Sequence, residues 1–206
     1  MVRRLEGARV LALASAGGQQ GPLLAAAGAA VTVFDASPVQ LGHDRMVSER
    51  DGLGIKTELG DMADLSRFAD GSFDLIFHAC SNCFVPAIRP VWNEAARVLR
   101  PGGRLLSGFC LPHWFLVDEP KDEKGVIDIA YRIPYTDDQL PADQKKKRLE
   151  TKEPLVFGHT LEDQLAGQLD AGFVLTGFYE DAWEPGISAF SDRIACFAAT
   201  LAIKRA

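Results

Sequence analysis

The feature that most constrains this chain is the stretch Ala8 to Leu41, which reads as apolar strand, glycine-bearing turn, alanine-rich helix, second strand and then a carboxylate. Ala8 to Leu13 is apolar and β-compatible with no polar alternation, as in a parallel strand buried on both faces. Ala14 to Gln20 supplies the turn, where Gly17 and Gly18 allow close backbone approach or positive φ. The helix that follows, rich in alanine from Leu23 to Ala30, is expected to aim its free N–H groups at whatever occupies the turn. Val31 to Phe34 then delivers Asp35 to the carboxyl end of a second strand. A carboxylate there, at the switch point of a doubly wound sheet, is placed to accept two hydrogen bonds from a ribose diol. A nucleotide cofactor is expected, although the turn alone does not name it.

The alternation of elements continues. Ser37 is an N-cap, Pro38 suits the first helical position, and Gln40 completes a capping box. A third strand over Ile55 to Leu59 ends in Gly60-Asp61-Met62, and a fourth, Phe73 to Phe77, ends at His78. Val91, Trp92, Ala95, Val98 and Leu99 mark one helical face, which stops at Arg100-Pro101-Gly102-Gly103 before a fifth strand, Arg104 to Phe109. Thr160 to Gly172 reads as a helix with Thr160 as N-cap and Asp163 three residues on. Phe173 to Tyr179 and Ile194 to Ile203 are the last strands.

Through DASPVQL, GDMADL, GSFDLIFH and EAARVLRPGGRLL, in that order, the chain resembles the class I S-adenosylmethionine-dependent methyltransferases. The variant turn ASxGGQQ looks like that of a bacterial subgroup of uncharacterised members. The resemblance implies an α/β fold: a doubly wound, mostly parallel seven-stranded sheet with helices on both faces, Rossmann-like, closing in an antiparallel C-terminal hairpin. It implies S-adenosyl-L-methionine as cofactor, with Ala14, Ser15, Gly17 and Gly18 cradling the methionine moiety. Asp35, with Ala36 beside it, would hold the ribose, Asp61 and Met62 the adenine, and His78 would face the methyl donor. The family's first motif carries an acidic residue and then Gly-x-Gly-x-Gly, at places that fall on Ala12, Ala14, Ala16 and Gly18. The acidic residue is absent and two of the three glycines are alanine, so Ser15, Gln19 or Gln20 is expected to compensate. The family also carries an N-terminal helical segment over the cofactor, whereas this sequence enters its first strand by about residue 8.

Composition narrows the functional classes. With 206 residues and 47% hydrophobic content the chain is expected to form a single methyltransferase domain, 1–206, with a core at 8–110, a substrate cover at about 111–157 and a C-terminal helix and hairpin at 158–206. A net charge of -6 argues against nucleic acid as the main partner. Lys145-Lys146-Lys147-Arg148 reads as a solvated stretch beside Asp137, Asp138 and Asp143. No apolar run is long enough for a membrane span and no signal-peptide core follows Met1, so a cytoplasmic protein with a small-molecule methyl acceptor is expected. Cys80 and Cys83 form one C-x-x-C, with no second pair to complete a zinc site, so no metal is expected.

Methyl transfer is an in-line displacement at a sulfonium, so the protein aligns an acceptor and, where needed, removes its proton. His78 is the candidate general base. Ser81, Asn82, His113, Trp114 and Tyr131 are substrate-pocket candidates, with Phe115 and Tyr135 as further aromatic residues, and Val126 to Pro134 is a candidate accessory strand. Two readings compete: an S-adenosylmethionine-binding sensor or partner protein without turnover, and a nucleotide-dependent oxidoreductase, whose G-x-G-x-x-G turn the sequence A-S-A-G-G-Q does not supply.

Overall fold

The computed structural model describes residues 5–151 and 153–205. Its strands and helices follow in the order β1 (Arg9–Leu13), α1 (Gln20–Ala26), β2 (Ala30–Asp35), α2 (Pro38–Asp51), β3 (Lys56–Leu59), β4 (Phe73–Ala79), α3 (Arg89–Val98) and β5 (Leu99–Cys110). After β5 come α4 (Glu119–Asp122), β6 (Tyr135–Thr136), α5 (Ala142–Thr151), β7 (Phe157–Gly158), a π-helical turn (Glu162–Ala166) leading into α6 (Gly167–Asp170), β8 (Phe173–Asp181) and β9 (Phe197–Lys204).

The main sheet has seven strands in the order β3-β2-β1-β4-β5-β9-β8. The first five are parallel, while β9 runs antiparallel to both β5 and β8. The doubly wound fold read from the sequence is therefore present. Its order reverses between β1 and β4, which opens a crevice at the carboxyl ends of these strands.

Strand β1 explains why the sheet needs helices on both sides. Leu11 and Leu13 enter a core with Phe34, Leu65, Ile76, Trp92 and Phe173, while Val10 and Ala12 enter another with Val31, Val33 and Leu41. α1 and α2 cover the second face, and α3 with the 160–170 segment covers the first. Trp92, fully buried on α3, donates its Nε1–H to the Asp163 carbonyl at 3.0 Å and so ties α3 to the π-helical turn. Arg89 adds ion pairs to Asp163 and Asp170, both at 2.7 Å.

Three expectations need correction. Val126 to Pro134 is not a strand: it contributes one isolated bridge, Val117 to Ile129, and the accessory pairing is instead β6 with β7. The last strand starts at Phe197 rather than Ile194, because the N–H groups of Asp192, Arg193 and Ile194 bond back to the carbonyls of Ser188 and Phe190 in a turn. The helix expected over Thr160 to Gly172 spans Leu161 to Asp170 and contains the π turn. Thr160 nevertheless caps it, accepting the Asp163 N–H at 3.0 Å.

Candidate cofactor and acceptor site

Directly after β1 the backbone takes positive φ at Ala14 (45°), Ala16 (59°) and Gly18 (75°). These are the positions at which the resemblance implies glycine, so alanine occupies two left-handed sites, each costing about 1–2 kcal/mol. Such strain persists only where neighbours over-determine the conformation. The Ala14 N–H donates to the Phe34 carbonyl at 2.8 Å, and the Ala14 carbonyl accepts from the buried Ser81 hydroxyl. The Gly17 N–H donates to Gln40 Oε1 at 2.8 Å, and the Gly18 N–H to Asp44 Oδ1 at 3.0 Å. A Cβ at Gly17 would stand 2.4 Å from the Gln40 carbonyl oxygen, so only glycine fits there.

The N–H groups of Gly17 and Gly18 are thus spent on α2, which sequence reasoning did not foresee. Gln40 does not close a capping box: Ser37 Oγ accepts the Gln40 N–H at 3.3 Å, but the Ser37 N–H donates to Asp35 Oδ1 at 2.8 Å. Gln40 and Asp44 stand one helical turn apart, a spacing that places both on one face of α2, and this was the available signal. Asp44 is buried, and that burial pushes its carboxyl up in pKa despite the Gly18 N–H.

Strand ends β1, β2 and β3 line up along one edge. Asp35 closes β2 half-buried, its carboxyl pushed up by burial, and Ala36 beside it is exposed. Beyond β3, Asp61 is exposed with Oδ1 accepting the Ala63 N–H at 2.9 Å, while Met62 is buried in the core that contains Phe34. Ser15 Oγ, Gln20 Oε1 and Asp44 Oδ2 are buried without a hydrogen-bond partner among the described residues. Unpaired buried polar atoms at a turn are what a polar ligand would satisfy, and this donor and acceptor set fits an amino acid joined to a nucleoside.

His78 lies inside the sheet edge, 1% exposed, with Nδ1 2.8 Å from the Leu13 carbonyl and its ring edge-on to Trp92 at 6.1 Å. Burial lowers its pKa; because the Leu13 carbonyl can only accept, Nδ1–H is the donor, and Nε2 has no partner among the described residues. Held in this way, the ring positions the end of β1 from within the protein. Asn82 is also 1% exposed and donates from Nδ2 to Gln164 Oε1 at 2.8 Å, while His113 Nε2 lies 2.6 Å from the Ala195 carbonyl.

A cavity of about 540 Å³ opens over the ends of β4 and β5. Cys83, Phe84 and Cys110 border it from the sheet side, and residues of the 111–157 segment form the rest. Trp114 and Tyr131 line it as the sequence suggested, whereas Ser81, Asn82 and His113 are not among its lining residues and serve the internal bonds just described. The neighbouring Cys80 and Cys83 thiols, with burial, push the Cys110 thiol up. All four cysteines are free. Among the described residues no group of three or more His, Cys, Asp or Glu is arranged to hold a metal ion, and no helix is long and apolar enough to cross a membrane.

Fold and site together define a protein of the class I S-adenosylmethionine-dependent methyltransferase family, and the chain belongs to it. A family described as "Methyltransferase domain" matches residues 11–107. The chain is 56% identical over 178 residues to the uncharacterized methyltransferase YbaJ of Bacillus subtilis (strain 168), covering 86% of this chain and 70% of that protein. Its fold is similar to that of an S-adenosylmethionine-dependent methyltransferase from Mesorhizobium loti, with TM-score 0.76 and 18% identity over 98% of this chain and 94% of that one. The [4+2]-cyclase SpnF has a similar fold too, with TM-score 0.67 and 18% identity over 97% of this chain and 76% of that one. The fold is thus shared by a protein titled for a different reaction, and chemistry has to be argued from the site. The cofactor of the family to which this chain belongs is S-adenosylmethionine.

Proposed function

We propose that this chain moves the methyl group of S-adenosylmethionine to a small molecule seated in the cavity under residues 111–157. The carrying observation is the line of strand ends along one sheet edge: the left-handed turn at Ala14 to Gly18, Asp35 after it, and Asp61 with Met62 beyond. Asp35 holds the ribose diol with the oxygen not taken by Ser37, Asp61 and the Met62 backbone hold the adenine, and Ser15 and Gln20 meet the methionine moiety in place of the absent acidic residue. The bound cofactor supplies an electrophilic methyl on a sulfonium. The protein then contributes alignment and water exclusion, worth several kcal/mol when two reactants are held in line.

His78 acts as a positioning residue in this reading, not as general base, because its ring is buried and Nδ1 is spent on Leu13. The net charge of -6 favours a small acceptor over nucleic acid, and the free thiols of Cys80, Cys83 and Cys110, close together yet not joined in a disulfide, favour the cytoplasm. The test is release of S-adenosylhomocysteine across a panel of amines, alcohols, thiols and carboxylates. Turnover on at least one acceptor, lost in Asp35→Ala, is expected. Cofactor binding with no turnover on any member would favour a non-catalytic binder.

A further inference from the structure

The cavity that the proposed function uses as its acceptor site has a chemistry of its own. One side is aromatic: Phe115 and Tyr135 stack with centroids 5.7 Å apart, Tyr131 stands edge-on to Tyr135 at 5.4 Å, and Trp114 completes the wall. The other side is charged. Glu119, Glu123, Glu153 and Asp137 line it against Lys147 and Arg148, so carboxylates outnumber cations. Arg148 is already taken, at 3.4 Å from buried Asp137 and 3.9 Å from Glu153. Asp137 is committed further, accepting from the Tyr135 hydroxyl at 3.0 Å and the Val156 N–H at 2.9 Å. Glu119, Glu123 and Lys147 remain with no ion pair among the described residues, which leaves the uncommitted carboxylates one in excess.

We infer that the methyl acceptor is a small amine, bound as its cation between the aromatic wall and the Glu119–Glu123 pair. An aromatic face and a carboxylate pair both attract an ammonium group, and neither attracts a carboxylate or phosphate acceptor. Glu119 stands exposed at the cavity rim, where partial desolvation and then the repulsion of Glu123 push its carboxyl up against the pull of Arg148, and a bound cation would relieve that repulsion. The same carboxylate can accept the proton the ammonium must lose before it reacts. The freed nitrogen lone pair then forms the N–C bond as the S–CH3 bond breaks, its electron pair staying on sulfur and the positive charge passing to nitrogen. The inference rests on the methyltransferase reading, because the cavity opens at the ends of β4 and β5.

The probes are tyramine, its neutral analogue tyrosol and its acidic analogue 4-hydroxyphenylacetate, titrated calorimetrically into protein saturated with S-adenosylhomocysteine. Tyramine is expected to bind about tenfold more tightly than tyrosol, with the acid weakest. The double variant Glu119→Gln/Glu123→Gln should erase the preference, keep its thermal midpoint, and bind S-adenosylhomocysteine as the parent does. Equal binding of tyramine and tyrosol, tighter binding of the acid, or no binding of any probe to the S-adenosylhomocysteine complex would overturn the amine assignment while leaving the methyltransferase reading intact. Failure of S-adenosylhomocysteine itself to bind would remove that reading and the amine assignment with it.

Discussion

The edge formed by β1 to β3 and the segment at residues 111–157 face the same crevice but are held by different physics. The edge stands on parallel strands centred on β1, whose side chains are buried on both faces, and its strained turn is braced by Ser81, Gln40 and Asp44. The cover has short elements and satisfies its backbone with side chains. Gln139 takes the Arg132 N–H and donates to the carbonyls of Arg132 and Pro134, and Asp137 bonds the Val156 N–H. A rigid edge can hold one cofactor in a fixed pose, whereas a cover built on few side-chain bonds can change its lining without disturbing the sheet. On the proposed function, that difference would put the shared chemistry in the edge and acceptor choice in the 111–157 segment.

The sharpest way to break the contrast is to damage the core beneath the crevice. Trp92→Ala should cost about 3–5 kcal/mol of global stability by leaving a cavity against the π-helical turn, read by urea unfolding. A loss below 1 kcal/mol would mean that α3 and the 160–170 segment do not depend on this ring. Next comes Asp137→Ala, which strips a carboxylate of three partners and should destabilise the cover by about 1.5–3 kcal/mol. Hydrogen exchange should then speed up at residues 135–157 and leave β1 to β4 protected. Global unfolding instead would show the two regions to be one cooperative unit.

Smaller effects probe the turn. Ala16→Gly should stabilise the protein by about 1 kcal/mol by relieving a left-handed alanine, while Ala26→Gly at the end of α1 should destabilise it by roughly 0.5–1 kcal/mol. The opposite signs are the signal, and the same sign at both sites would mean the turn is not strained. The smallest effect is electrostatic. Burial depresses the pKa of His78 and His159 in the folded state, so both bind fewer protons folded than unfolded. Their contribution is complete above the ordinary histidine pKa of about 6.5 and falls as pH drops below it. His78→Asn should flatten that slope in a pH series of unfolding free energies.

The edge was legible because its signals are local. Apolar runs set β1, β2 and β4, and Asp35 and Asp61 follow directly from strand ends. The positions expected to be glycine, Ala14, Ala16 and Gly18, are the ones with positive φ, so spacing revealed conformation even where the residue had changed. What stayed hidden depends on long-range contact. Gln40 has a local role available to it as a capping residue, and its one-turn spacing from Asp44 marks a shared helix face without naming the Gly17 N–H 23 residues away. The cover lacks periodicity, and the bonds that shape it run through side chains such as Asp137 to Val156, so its strand was placed in the wrong stretch and Ser81, Asn82 and His113 were assigned to the pocket. Trp114 and Tyr131, expected at a pocket, do line the cavity, where aromatic residues of an irregular segment have few other places to pack.

The most direct test of the central claim, that the β1 to β3 edge holds S-adenosylmethionine, is calorimetric titration of S-adenosylhomocysteine into the parent protein and Asp35→Ala. The account predicts saturable binding by the parent and a loss of about 1–3 kcal/mol in the variant, a drop of roughly five- to 150-fold, with the unfolding midpoint unchanged. Equal affinity in the two proteins would contradict it, because the ribose would then lie somewhere other than the carboxyl end of β2.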